Sequence, residues 1–158
     1  NRTRLLGGQL AALGVFPLPA TTVTTLVVVL FARPLAKLEG IPIEAWKTDF
    51  ASELGKGFFD FTIAGLVWGL IGLMLAVLTR SSAIAIGIGL GFLLVAEGLI
   101  SIVAPDASPY LPGGTLDTLA AGGNDQLAWG AALGLAVLYG VIAATVSLAA
   151  FRTRDIIS

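Results

Sequence analysis

Two acidic residues, Asp60 and Glu97, lie within long apolar stretches of the sequence. An aspartate at the centre of a spanning helix costs about 2.5–3.5 kcal/mol on insertion scales, so both residues are candidates for a translocation path. Asp60 is within one turn of the start of its stretch, which favours a solvated position at the headgroups. Glu97 lies about 21 Å along its helix from Ala83, at about 1.5 Å per residue. It faces a water-filled path, or it is a structural acid bonded to Ser101.

Other chemistry is missing from the sequence, which contains neither histidine nor cysteine. This excludes a Ser/His/Asp triad, a Cys/His pair and a His- or Cys-ligated zinc site within the chain. A Walker A loop is also missing, because Gly55-Lys56 is followed by Gly57 rather than by serine or threonine. We therefore expect no catalytic, cofactor-binding or metal-ligating residue, and no enzyme activity by this chain itself.

The composition predicts a lipid environment, since 56% of the 158 residues are hydrophobic and only 12% are charged. A soluble domain has about 45–50% apolar and about 25% charged residues. A soluble chain of this length would still expose about a third of its unfolded surface, too much for such a composition. The net charge of −1 provides no basic field for nucleic acid.

Four stretches reach the roughly 20 apolar residues that a spanning helix needs: residues 10–31, 58–78, 83–103 and 127–151. We therefore predict an all-α, polytopic membrane protein with a single transmembrane domain of four helices. Pro17 and Pro19 predict a kink or break in the first stretch, so that the crossing part begins nearer Ala20.

Two outer segments, residues 33–56 and 104–125, connect the stretches. In the first, apolar residues recur at helical spacing after Pro42, which predicts a short interfacial amphipathic helix: Ile43, Trp46, Phe50 and Leu54. This segment is a membrane-hugging connector, or it has a gating or substrate-access role. The second segment is long and rich in proline and glycine. Its residues 115–121 are a candidate for one or two helical turns that dip back toward the membrane.

The basic residues beside the stretches predict the orientation of the chain. Five lie on one side, tight against the ends of the stretches: Arg2, Arg4, Arg80, Arg152 and Arg154. Four lie on the other side, within one acid-rich segment: Arg33, Lys37, Lys47 and Lys56. We therefore expect both termini in the cytoplasm, and Trp46 and Tyr110 outside. Arg80, Arg152 and Arg154 are cytoplasmic membrane anchors, worth about 1 kcal/mol per charge on anionic lipid.

Three stretches contain a GxxxG pair, in which small residues let helix backbones approach closely. The pairs are Gly65 and Gly69, Gly87 and Gly91, and Gly130 and Gly134. We favour packing between helices of this chain over a seam between two copies.

Four short motifs occur in an order that resembles one family: Arg2-Thr3-Arg4-Leu5-Leu6, Arg80-Ser81-Ser82, Tyr110-Leu111-Pro112, and Phe151-x-x-Arg154-Asp155. Together they resemble a permease of the second class of bacterial ATP-binding cassette (ABC) exporter membrane domains, over essentially the whole chain. In that family R-T-R-L-L-x-x-K precedes the third of six helices. An R-S-S turn joins the fourth and fifth, and the chain commonly ends F-x-x-R-D. Gln9 stands at the usual lysine position.

The resemblance implies that this chain carries the last four of six helices, with two more upstream of Asn1. It implies a permease subunit of an ATP-driven exporter in the bacterial inner membrane, paired with a second copy or a homologous permease. A separate cytoplasmic ATPase subunit would bind ATP and Mg²⁺. Arg2 and Arg4 would lie near that ATPase, at the exit of the coupling helix.

Two other functions stay open. A small proton-coupled multidrug exporter also uses a membrane-embedded glutamate, here Glu97, although the long outer segments argue against it. A non-transporting subunit of a membrane assembly is the third candidate. A neighbouring gene for an ATPase would favour the permease, and one for a sensor or enzyme subunit would favour the assembly.

Overall fold

The computed structural model describes residue 8, residues 11–12, residues 14–40 and residues 50–153, without the side chains of Arg33, Arg152 and Thr153. Over these residues the chain is helical, with 86% helix and no strand. The helices are α1 (Pro17–Leu38), α2 (Phe50–Thr79), α3 (Ser82–Val103), α4 (Pro112–Ala120) and α5 (Trp129–Thr153). A 3₁₀ turn, Ser108–Tyr110, precedes α4. The predicted all-α fold class is confirmed.

Helices α1, α2, α3 and α5 are long and apolar enough to cross a membrane. Many of their large apolar side chains are exposed, including Leu30, Ile86, Leu94 and Val141. A soluble monomer rarely exposes contiguous apolar patches of more than a few hundred Å². The four helices therefore support a multi-pass membrane protein. By its internal contacts the chain divides into residues 1–62 and 63–158, and each unit is described by itself.

Proline sets the start of α1, as expected. The helix begins at Pro17, with Phe16 before it, so Pro17 and Pro19 lie in the first turn. The N–H groups of that turn have no partner within the helix, so proline loses little there. The helix then continues through Pro34 to Leu38. The helix thus begins close to the expected Ala20 and ends at Leu38 rather than at residue 31, so the start of the outer segment is helical.

The second correction concerns the interfacial helix. Most of it, residues 41–49 with Trp46, lies outside the described residues. Its last part, Phe50 and Leu54, is the beginning of α2, a continuous helix of 30 residues that ends at Thr79. These two residues therefore do not belong to a separate short helix.

A tight turn of two residues, Arg80 and Ser81, joins α2 to α3. Arg80 adopts the left-handed conformation with φ of 58°, and Ser81 caps α3 by accepting from the Ile84 N–H at 3.4 Å. A Cβ built on Gly89 of α3 would lie 3.7 Å from Leu75 of α2. The two helices therefore return alongside each other from this turn.

The core of the second unit lies around α4, within the segment expected to be an outer connection. Leu116 and Leu119 of α4 are 1% and 0% exposed. They form one cluster with small or β-branched residues of α2 and α5 and with a residue that precedes α5: Ala64, Val67, Ala132, Ala136 and Leu127. The small side chains let α4 pack closely. The expected one or two helical turns in residues 115–121 are present and begin earlier, at Pro112.

The C-terminal end of α4 is closed by a Schellman motif. The Gly123 N–H donates to the Thr118 carbonyl at 2.9 Å, and the Gly122 N–H donates to the Leu119 carbonyl at 3.0 Å. Both glycines have positive φ, 82° and 97°, which a side chain would disfavour. Asn124 then holds the turn into α5, since its side-chain oxygen accepts from the Leu127 N–H at 2.7 Å.

Replacing Asn124 with alanine tests this turn. The Asn124 side chain also accepts from the Gln126 N–H at 3.0 Å and donates to the Thr118 hydroxyl at 3.2 Å. We expect Asn124→Ala to lower the free energy of unfolding by about 1–3 kcal/mol, measured by thermal unfolding in detergent. Gln126→Ala, at an exposed side chain, is the control. An equal effect of the two substitutions would contradict this role.

Candidate functional site

Glu97 occupies an irregular part of α3. The helix is α-helical over Ser82–Gly91 and Gly98–Val103, but a π-helix over Phe92–Glu97. Single π turns inside α-helices are rare and occur frequently at functional sites. The π turn ends at Glu97, whose side chain is 8% exposed. A buried carboxylate must be paired or hydrogen-bonded to persist.

The partner of Glu97 is the first turn of α4. Its Oε1 accepts a hydrogen bond from the backbone N–H of Gly113 at 2.9 Å, across 16 residues of sequence. Helix N-termini carry partial positive charge and unsatisfied N–H groups. The carboxylate therefore caps α4, and it is stabilised there by both the hydrogen bond and the helix dipole.

Gly113 makes this contact possible because it has no side chain. A Cβ built at this position would lie 2.2 Å from Oε2 of Glu97 and 2.8 Å from Cδ2 of Leu93. The next residue, Gly114, is equally confined, since its Cβ would lie 2.1 Å from the Ser108 carbonyl oxygen. The pair of glycines after Pro112 lets the start of α4 approach both the π turn and the preceding 3₁₀ turn.

Two further hydrogen bonds hold the segment around α4. The hydroxyl of Thr115, a residue that is 0% exposed, donates to the Pro109 carbonyl at 2.8 Å. The hydroxyl of Tyr139, on α5, donates to the Tyr110 carbonyl. The 3₁₀ turn that precedes α4 is thus bonded to α4 and to α5, and α4 itself is bonded to α3 through Glu97.

An apolar cavity of about 270 Å³ lies next to this contact. It is lined from α2, α3, α4 and α5 by residues that include Trp68, Leu75, Phe92, Pro112, Tyr139 and Ala143. Phe92 is the first residue of the π turn, and Pro112 is the first residue of α4. The Glu97 contact and the cavity therefore share the same two elements, and the first turn of α4 forms part of the cavity wall.

These contacts correct one interpretation of Glu97. Its expected partner Ser101 is exposed, and the Ser101 hydroxyl donates to the Gly98 carbonyl at 2.8 Å. Glu97 instead pairs with Gly113, a partner that sequence reasoning missed. The Pro-Gly-Gly sequence at residues 112–114 was the available signal, since two glycines in a first helical turn favour close backbone approach.

Asp60 differs from the solvated headgroup residue that was expected. It is 3% exposed and lies ten residues after the start of α2, about 15 Å along the helix. One of its neighbours in sequence, Thr62, is also buried and donates its hydroxyl to the Phe58 carbonyl at 2.7 Å.

Two of the three glycine pairs have no neighbouring helix packed against them among the described residues. No described atom outside the local helix lies within 4 Å of a Cβ built on Gly87, Gly91, Gly130 or Gly134. The intrachain packing expected of these two pairs is therefore not observed among the described residues. Gly65 and Gly69 are half-buried on α2. Packing contacts between helices occur instead at Gly140, whose Cβ would lie 3.5 Å from Leu70.

The structure describes few of the arginines that were assigned to the cytoplasmic side. Arg2, Arg4 and Arg154 lie outside the described residues, and so does the side chain of Arg152. Arg80 is exposed in the turn between α2 and α3. Its position at an end of both helices is compatible with a membrane anchor.

No family model, curated protein or solved structure matches this chain. Among the described residues, no group of three or more Asp or Glu side chains is placed to hold a metal ion. The site is thus defined by its geometry, which is a buried carboxylate bound to a helix N-terminus beside an apolar cavity.

The Gly113 contact makes a stability prediction. Gly113→Ala places a methyl group into the Glu97 carboxylate, so we expect a loss of about 1–3 kcal/mol, as for overpacking of a core. Gly72→Ala is the matched control, because Gly72 lies in α2 outside the glycine pairs and its Cβ meets no described atom within 4 Å. Alanine also has the higher helix propensity, by about 1 kcal/mol. Thermal unfolding in detergent should therefore separate the two variants, with Gly113→Ala the less stable.

Proposed function

We propose that this chain is a permease subunit of an ATP-driven exporter, and that it forms the transmembrane path while a separate subunit hydrolyses ATP. Four helices long and apolar enough to span a membrane support the permease part. The order of the arginine-containing motifs supports the family. In this proposal ATP and Mg²⁺ bind to a partner subunit, as the sequence contains no Walker A loop.

The observation that carries transport is the position of α4. The helix closes part of an apolar cavity between α2, α3 and α5, and the Glu97 carboxylate binds its first turn there. Along α3, α4 lies at the end opposite to the Arg80 turn. With Arg80 in the cytoplasm, α4 lies on the outer side, where an exported substrate leaves.

A second permease copy or a homologous permease completes the path. The open faces at Gly87 and Gly91, and at Gly130 and Gly134, support such a partner, because small residues let another helix approach closely. In this proposal the glycine pairs contact another subunit rather than another helix of the same chain. In the same proposal Asp60 and Glu97 are residues of the path, and Arg2 and Arg4 contact the ATPase.

The small proton-coupled exporter is the second candidate, and the burial of Glu97 is the observation that favours it. A proton-coupled site needs a carboxylate that exchanges protons with a water-filled path. The hydrogen bond to Gly113 instead gives the carboxylate a structural partner, which favours the permease. The localisation proposed for both candidates is the bacterial inner membrane, with both termini in the cytoplasm.

Energy coupling separates the two candidates. We expect the chain to co-purify with an ATPase subunit encoded nearby, and we expect that subunit to turn over ATP faster in its presence. Glu97→Gln should alter this stimulation and leave expression unchanged. Transport in proteoliposomes driven by a proton gradient without ATP would contradict the permease and support the proton-coupled exporter.

The orientation is tested by single-cysteine labelling, since the chain has no native cysteine. We expect an impermeant thiol reagent added to intact cells to label Asp106→Cys but not Arg80→Cys, because both residues are exposed but lie on opposite sides. Permeabilised cells should label both and serve as the control. Labelling of Arg80→Cys in intact cells would reverse the proposed orientation.

A further inference from the structure

We propose that the π turn Phe92–Glu97 is a conformational latch for α4. In its π form the turn delivers the Glu97 carboxylate to Gly113 and holds the first turn of α4 beside the cavity. Conversion of the turn to α-helix withdraws the carboxylate and releases α4. The proposal concerns α4 alone, so it depends neither on the energy source nor on the transported substrate.

The geometry of helices supplies the first step. A π turn has i→i+5 hydrogen bonds and accommodates one residue more than an α turn. Relative to a continuous α-helix, every following residue is displaced by one position, about 100° around the axis. Glu97 therefore occupies the direction that residue 96 would have if α3 were α-helical throughout.

The identity of residue 96 supplies the second step. In a continuous α-helix that keeps Ser82–Gly91 in place, Ala96 would face Gly113. A methyl group accepts no hydrogen bond, so the N-terminus of α4 would lose its carboxylate. The buried Gly113 N–H would then favour an opening of α4 toward water, because an unpaired buried donor is costly.

The residues of α3 that pack against Gly113 of α4 also belong to the π turn. The two side chains that a Cβ on Gly113 would strike, Glu97 and Leu93, both belong to the π turn. Phe92 and Pro112 line the same cavity, so a change in the π turn and a movement of α4 both alter the cavity wall. The latch therefore connects a helical transition in α3 to access at one end of the cavity.

Hydrogen exchange of the full chain in detergent or nanodiscs measures the release of α4 directly. In Glu97→Ala we expect the amides of residues 115–120 to exchange about tenfold faster or more, the effect of losing a hydrogen bond to a charged group. Glu97→Gln retains an oxygen acceptor, so its exchange rates in α4 should lie between those of the wild type and those of Glu97→Ala. The amides of residues 135–145 in α5 report global unfolding and should keep their rates. Unchanged rates in α4, or equal acceleration in α4 and α5, would overturn the latch.

A double variant tests the helical transition itself. Ala96→Glu combined with Glu97→Ala places the carboxylate where only an α-helical turn directs it to Gly113. If the turn converts, α4 regains protection relative to Glu97→Ala alone, and we expect rates within about threefold of the wild type, less than the tenfold that one such bond is worth. Rates as fast as in the single variant would show a rigid π turn and overturn the switching proposal.

Gly113→Ala changes the α4 partner of the contact instead of Glu97. It tests the latch even if a Glu97 variant fails to fold. It leaves the carboxylate intact and disfavours docking, so exchange should accelerate more in α4 than in α5, where the rates follow only the loss of global stability. Gly72→Ala, which has open space around its Cβ, is the matched control and should accelerate exchange in neither helix. Acceleration by the control alone, or by neither variant, would contradict the latch.

Discussion

A carboxylate removed from water needs hydrogen-bond donors, and a helix N-terminus removed from water needs hydrogen-bond acceptors. In this chain each supplies what the other needs. Glu97 needs donors, and α4 begins among protein atoms with N–H groups that have no partner within the helix. Proline at position 112 removes one of those groups, and the Thr115 N–H donates to the Leu111 carbonyl at 2.7 Å. The Gly113 N–H donates to Glu97. The position of α4, and with it the core of the second unit, depends on this pairing of donors and acceptors.

The C-terminal end of α4 obeys the same constraint by other means. Its last carbonyls accept from the N–H groups of Gly122 and Gly123, which can adopt positive φ. Where water is scarce, irregular backbone is tolerated only if its polar groups are satisfied within the protein. A nine-residue helix with both ends closed can therefore pack deeply against α5. The spanning helices satisfy their backbone internally and can leave large apolar faces exposed.

How much the sequence could predict follows from the range of each interaction. Composition and runs of apolar residues are local, so the all-α class, the four long helices and the break at Pro17 were predictable. The helix boundaries were less predictable, because the apolar periodicity from Ile43 to Leu54 did not distinguish a separate interfacial helix from the beginning of α2. The burial of Asp60 was also missed. The Glu97 contact spans 16 residues and depends on a π turn, for which the sequence carries no known signature. One of the two interpretations of Glu97 therefore took Ser101, one turn away, as its partner.

Glycine has two opposite roles in this chain, and only the three-dimensional contacts separate them. At Gly113 and Gly114 a side chain would collide with neighbouring atoms, so glycine is required by the fold of the chain itself. At Gly87, Gly91, Gly130 and Gly134 a Cβ would meet no described atom beyond the local helix. Glycine in a helix interior costs about 1 kcal/mol relative to alanine in water. The first pair is explained by the contact with Glu97 and Ser108, whereas the open pairs gain nothing from the described chain. Close approach of another backbone to these faces would offset that cost, and this is the physical argument behind the proposed interface between subunits.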